Sequence, residues 1–495
     1  GKLEEAFNFL KDNFLLQYIL RIITDIITKM KDSLNIGVAG ATGYVGLELI
    51  KILSNHRKVK IIYLCATKSI GNSGVISPLA TPTLSPIRST LSISKFSILT
   101  VCARIVSSLF YLDKKRENMR LKIGLLSVYF GLFDDAMPGN FRESRENFTT
   151  ELENFLAQFG EVTFPGLIDS EEKAEDAAKV FKEAQLDLII FAPSMAAPPS
   201  YGWIAIKDIP ETFIVALAAQ EYSTVPDDYD TEQATKRSLP VGLVMFTNVL
   251  SRNNRNFISI LDTLNSKDLI DNLLPVFKGI SAAKTVTENN FLTIGKPIKG
   301  YIDVEASQSE LERINVTTVE ISKTSLNRKF KKISKEAVTA KIEKIRSDFS
   351  TEKLDIQTLE RSTRLALAIE EICTQNQIKG GAFNCHGEVF RFNSEIGVTA
   401  CLAVTELAKN NISFACTGDL PAGIALTIGK EIAGSSLYCE LYQLDIQGNW
   451  LLVANGGEGD TSIHGGKEDI ALLPEDHYMG ENGPGVAVAF DIKKG

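Results

Sequence analysis

From residue 119 onward the chain alternates uninterrupted apolar runs with segments whose apolar residues recur at helical spacing. "LDLIIFAP" after its Asp187 and "TFIVALAAQ" between its terminal Thr212 and Gln220 are continuously apolar, and "SEEKAEDAAKVFKEAQ" precedes the first as a helix with acidic residues in its first turn. A strand with no polar face must be covered on both sides. That condition is met by a parallel sheet whose crossover helices lie on its two faces. The fold class read from this pattern is α/β, with parallel sheets.

At 495 residues the chain is too long for one core. Composition and periodicity divide it into six parts. Residues 1–34 form an amphipathic helical segment. Residues 35–66 read as strand, glycine turn, helix and strand, a partial dinucleotide-binding βαβ fragment. Residues 67–118 are an irregular linker rich in Ser, Thr, Pro and Gly, with an apolar run over 93–111 that Lys95 and Arg104 interrupt. Residues 119–288 and 289–434 are two α/β domains. Residues 435–495 start a β domain, in which two strands flank an "IQGN" turn.

A net charge of −8 argues against binding to a phosphate backbone, which requires basic faces. The seven cysteines form no CxxC pair and read as reduced thiols. No basic segment followed by an apolar core opens the chain, and a charged residue within 93–111 is costly in lipid. A cytoplasmic protein, bound to neither membrane nor nucleic acid, is expected.

Two stretches carry chemistry. "GVAGATGYVG", residues 37–46, is a Gly-x-x-Gly-x-x-Gly turn between a strand and a helix. Gly40, Gly43 and Gly46 would let the backbone approach a pyrophosphate at the helix N-terminus. In the second stretch, polar residues follow apolar runs. "FNCHGE" presents Asn384 and His386, "ACTGD" presents Thr417 and Asp419, "YCELYQLD" presents Glu440, and "VANGGEGD" presents Asn455 and Glu458. Ligands of open α/β sheets lie beyond the carboxyl ends of strands, so these groups are expected to converge. Glu440, His386, Asp419 and Glu458 suit a divalent metal, and Asp419, Glu440 and His386 suit proton transfer. Asp419, just ahead of a helix, reads equally as an N-cap, and Cys385 and Cys416 as small buried residues. Gln220 and Arg252, after apolar runs of the first α/β domain, join Asn384, Thr417 and Asn455 as candidates for substrate contact.

Two resemblances add to this reading. Residues 35–66, through "VAGATGYVGLELIKILSNH" and "IIYLCA", resemble the N-terminus of N-acetyl-gamma-glutamyl-phosphate reductase, an NADP-dependent enzyme. No counterpart of that family's catalytic-cysteine segment follows, so a fragment without NADP binding is expected. Residues 119–495 resemble the L-fucose/L-arabinose isomerase superfamily, in its L-fucose isomerase-like branch. The resemblance runs through "LPVGLVMFTNVLSRNNRNF", "GGAFNCHGEVFRFNSEIGVTACLAVTELAKNNISFACTGDLPAGIALTIGKEIAGSSLYCELYQLD" and "VANGGEGD". It implies two α/β domains followed by a β-barrel-like domain, Mn²⁺, a small-molecule sugar, trimers or hexamers, and aldose–ketose isomerisation through an enediol. Glu440 falls at a metal-binding carboxylate of that family, and Thr417 falls where the family has a catalytic glutamate. The expected function is therefore a metal-dependent sugar isomerase-like protein with altered or lost activity. The alternatives are a protein related to the NADP-dependent reductase and a non-catalytic sugar-binding or assembly protein.

Overall fold

The computed structural model describes residues 34–39, 59–65, 121–137, 139–225, 227, 229–385, 387–448, 450–454, 456–465, 470–474 and 485–490. The expected N-terminal helical segment, the glycine turn with Gly40, Gly43 and Gly46, the 67–118 linker, His386 and Asn455 lie outside them.

Strands β1 (Leu34–Ala39) and β2 (Val59–Cys65) pair in parallel, with Leu34 opposite Val59 and Ala39 opposite Cys65.

Beyond these strands the described residues form two compact units, one over 121–288 with 308–316 and one over 289–307 with 317–490. The first is built on β3 (Leu121–Leu126), β4 (Gly160–Thr163), β5 (Leu188–Phe191), β6 (Phe213–Gln220) and β7 (Ile258–Thr263). They pair in the order β4-β3-β5-β6-β7, every pair parallel. All four residues of β5 and six of the eight in β6 are buried, as continuous apolar runs require. Two of the connecting helices, Glu171–Ala184 and Thr231–Lys236, begin where a side chain satisfies a free N–H group. Ser170 accepts from the Lys173 N–H, and the helix Glu171–Ala184 ends at Gln185 in the left-handed conformation. Phe148, Leu152, Phe155 and Phe277 pack with the β3, β5 and β6 side chains into one core.

The second unit has β8 (Asn290–Ile294), β9 (Thr317–Ile321), β10 (Ile378–Phe383) and β11 (Ser413–Ala415) in the order β11-β10-β8-β9, again all parallel. The helix Leu420–Ala433 lies against β10 at Gly423, where a Cβ would come within 2.1 Å of the Gly381 carbonyl oxygen. Such a close approach excludes any side chain. The α/β class with parallel sheets is therefore the fold. After Gly434 the described residues carry two antiparallel pairs, β12 (Glu440–Asp445) with β13 (Trp450–Ala454) and β14 (Ala471–Pro474) with β15 (Val486–Ala489). The first is the hairpin expected around "IQGN". Among the described residues, no helix is long and apolar enough to cross a membrane. The apolar run over 93–111 is outside them.

Candidate functional site

The two sheets share a topological property. In each, the strand that enters first sits between later strands, so the connections reverse direction at β3/β5 and at β8/β10. Crevices in open α/β sheets form outside the carboxyl ends at such reversals.

In the second unit the reversal is bridged by Asn384, the residue after β10. Its N–H donates to the Ile294 carbonyl at 3.0 Å, and its Nδ2 donates to the Lys296 carbonyl at 2.6 Å. The next strand end is a strained turn. Thr417 has φ of 58° and Gly418 has φ of 83°, two successive left-handed residues. Gly418 lies against Pro297, whose Cα would be 2.7 Å from an added Cβ. The Thr417 hydroxyl donates to the Cys416 carbonyl at 2.8 Å and meets the Tyr438 hydroxyl.

This turn delivers Asp419 to the N-terminus of the helix Leu420–Ala433, where Oδ1 accepts from the Ala422 N–H at 2.8 Å. The N-cap reading of Asp419 is thus realised. Burial pushes its carboxyl above the ordinary range. The cap bond opposes that shift, and the nearby charges of Asp303 and Glu440 add to it. Glu440 accepts from the Tyr438 hydroxyl at 3.4 Å and from the Tyr442 hydroxyl at 3.2 Å. Burial likewise pushes the Tyr438 hydroxyl upward. Tyr438 and Asp303 were not picked out from the sequence. Tyr438 stands two residues before Glu440, and that spacing puts both on one face of an extended segment.

Glu458 is 4% exposed and lines a small cavity with Cys385, Cys401 and Cys416. Its neighbour Asp460 is committed elsewhere. It forms a buried ion pair with Lys430, accepts from the Ser436 N–H at 3.1 Å and caps the short helix Thr461–Ile463. Gln220 and Arg252 belong to the first unit. Gln220 ends β6, and its carbonyl accepts from the Leu264 N–H at 2.8 Å, while Arg252 is an exposed last-turn residue of the helix Leu239–Arg252.

Among the described residues, no group of three or more His, Cys, Asp or Glu side chains is placed to hold a metal ion. Asp419 Oδ1 accepts a helix-cap bond, and Glu440 accepts from two tyrosines.

The first unit has its own polar cluster at the carboxyl ends of β5 and β6. Arg145, with no exposed side-chain surface, donates to both Glu221 oxygens and to the carbonyls of Ser194 and Lys236. All of its donors are used within the fold, so it reads as a structural pair.

The amino-terminal strands carry the likeness to known proteins. The family model for the NAD-binding domain of semialdehyde dehydrogenases matches residues 35–79. N-acetyl-gamma-glutamyl-phosphate reductase of Ehrlichia ruminantium (strain Gardel) is 56% identical over 43 residues, 9% of this chain and 12% of that protein. The reductase of Streptococcus thermophilus (strain ATCC BAA-491 / LMD-9) is 50% identical over 38 residues, 8% of this chain and 11% of that one. The reductase of Ruthia magnifica subsp. Calyptogena magnifica is 50% identical over 40 residues, 8% and 12% of the two chains. The chain thus spans about 12% of the length of the curated relatives it matches. Among solved structures, an ABC transporter solute-binding protein from Burkholderia multivorans covers 63% of this chain and 95% of its own at 12% identity. Its TM-score of 0.17 is too low to indicate a shared fold.

These findings correct the expected function. The family that is found is one of NAD-dependent dehydrogenases and reductases, which overturns the Mn²⁺-dependent sugar isomerase, its manganese, and the expectation that residues 35–66 take no NADP. What this chain is similar to, over residues 35–79, is the cofactor-binding start of N-acetyl-gamma-glutamyl-phosphate reductases.

Proposed function

We propose that residues 34–79 bind NADP and that the chain is a protein related to the NADP-dependent reductases. The observation that carries this reading is the parallel pairing of β1 with β2. The glycine turn begins at Gly40, directly after the last residue of β1, so it stands at a carboxyl strand end, where dinucleotide-binding folds receive the pyrophosphate. Gly40, Gly43 and Gly46 would hold that group through backbone N–H donors. Folds of this kind that select NAD place a carboxylate after the second strand to take the ribose 2′-hydroxyl. Here β2 ends at Cys65 and is followed by Ala66, Thr67, Lys68 and Ser69, with no Asp or Glu in residues 59–79. A cation and two hydroxyls suit a 2′-phosphate. When bound, the nicotinamide supplies or accepts a hydride.

The test is titration of the full chain with NADPH and with NADH, followed by nicotinamide fluorescence. Tighter binding of NADPH is expected. Absence of binding by both would refute the reading.

A further inference from the structure

Three cysteines gather where β10 and β11 end. These strands are parallel neighbours with Ala382 opposite Ala415, so Cys416 follows one paired residue directly and Cys385 follows the other after two more residues. Cys385 and Cys416 line one small cavity together with Cys401, the first residue of the helix Cys401–Lys409. The Cys385 thiol is hydrogen bonded to that of Cys416. Cys385 is buried and Cys416 is half-buried, so a reagent from solvent reaches Cys416 first.

We propose that Cys385 and Cys416 are a reversible dithiol–disulfide pair, oxidised by exchange with a small-molecule disulfide such as glutathione disulfide. Cys416 loses its proton to solvent, and its sulfur attacks one glutathione sulfur. The S–S bond of the reagent breaks, one glutathione leaves with the electron pair and takes up a proton, and a mixed disulfide remains on Cys416. Cys385 then gives up its proton and attacks the Cys416 sulfur, displacing the second glutathione. In total the protein loses two protons and two electrons, and one glutathione disulfide becomes two glutathione thiols. Burial and the Cys416 contact push the Cys385 thiol well above its ordinary range, which makes the second step the slow one. The new bond would tie the β10 exit to the β11 exit, immediately before the left-handed pair Thr417–Gly418 that places Asp419.

The experiment treats the full reduced chain with glutathione disulfide, blocks the remaining thiols by alkylation and maps the peptides by mass. A Cys385–Cys416 cross-linked peptide is expected, with loss of alkylation at both residues and its return after dithiothreitol. In Cys385→Ser a stable glutathione adduct on Cys416 is expected, because nothing resolves it. Should that variant fail to fold, the map of the unsubstituted chain decides alone. A Cys385–Cys401 link or any other pairing, reaction confined to exposed Cys439, or an unresolved adduct on Cys416 in the unsubstituted chain would each overturn the proposal.

Discussion

Arg145 donates through Nη2 to both carboxylate oxygens of Glu221 at 3.1 Å, and its side chain has no exposed surface while that of Glu221 is 26% exposed. The two are 76 residues apart in sequence and join the helix Phe141–Leu156 to the end of β6. Burial pulls the Arg145 guanidinium below its ordinary value, and the Glu221 charge restores part of that loss. Without Arg145, Glu221 keeps the Arg237 guanidinium at 3.6 Å and its own partial exposure, so the loss is that of the charged hydrogen bonds of Arg145 rather than of an isolated buried charge. Arg145→Ala is therefore expected to destabilise the first unit by about 1.5–3 kcal/mol. Trp203 lies in this unit and the second tryptophan, Trp450, in the other. Urea unfolding followed by Trp203 fluorescence in a Trp450→Phe background checks the value. A change under about 1 kcal/mol, the scale of an exposed pair, would contradict it.

Asp419 sets a pH dependence whose sign follows from its environment. Its folded value lies above the ordinary 3.8, so the fold favours the neutral carboxyl. Stability from this group is complete below pH 3.8 and falls as pH rises through the higher folded value. Asparagine caps helices as well as aspartate and carries no charge. Asp419→Asn is expected to match the unsubstituted protein in acid and to exceed it at neutral pH. Asp419→Ala, which also loses the cap, should fall below Asp419→Asn by about 1 kcal/mol at every pH. Thermal unfolding of the three proteins across pH provides the comparison, and an advantage for Asp419→Asn that does not grow with pH counts against this account.

Gly418 combines a left-handed backbone with contact on Pro297. An alanine there costs about 1–2 kcal/mol for the backbone and a further ~1–3 kcal/mol for the clash. Gly423 has ordinary helical geometry but no room beside the Gly381 carbonyl, so Gly423→Ala is expected to cost ~1–3 kcal/mol through overpacking alone. The atoms met at Gly418 are the Cα and N of Pro297, which any residue there presents, so Pro297→Ala relieves neither variant, and Gly418→Ala, which carries the left-handed backbone as well, is expected to be the more costly of the two. Urea midpoints of the two glycine variants, alone and with Pro297→Ala, check both expectations.

For the cofactor, Gly43→Val is expected to weaken NADPH binding by about tenfold or more, ~1.4 kcal/mol, by holding the backbone away from the pyrophosphate. Lys68→Ala should weaken NADPH and leave NADH unchanged. Equal losses for the two cofactors in Lys68→Ala would remove Lys68 from the 2′-phosphate.

The α/β class was legible because β5 and the interior of β6 are continuous apolar runs, a pattern only double-sided burial explains. The helices Lys335–Asp348 and Ile356–Gln375 are each started by a side-chain cap that the sequence shows, Ser334 and Asp355. The strand order was not legible, since nothing local to β8 specifies that both β9 and β10 flank it. Residues of the strand ends were found by their position after apolar runs, which is a property of the chain. Their bonding partners were not, because Asn384 meets Lys296 across 88 residues and Arg145 meets Glu221 across 76. The isomerase reading failed for a related reason. Carboxylates in sequence are ligands only if they come together, and among the described residues no such group of three forms, with Asp419 Oδ1 on a helix cap and Glu440 on two tyrosine hydroxyls.

Both main sheets are parallel throughout, and this governs how the chain reaches its fold. No strand in either can zip to its neighbour through a short turn. Asn290 of β8 must find Thr317 on one side and Ile378 on the other. Contacts of such long sequence separation make folding slow, and until they close, the apolar runs of β5 and β6 are open to other chains. The yield of refolded protein will therefore fall as the chain concentration is raised, even where the finished fold is stable.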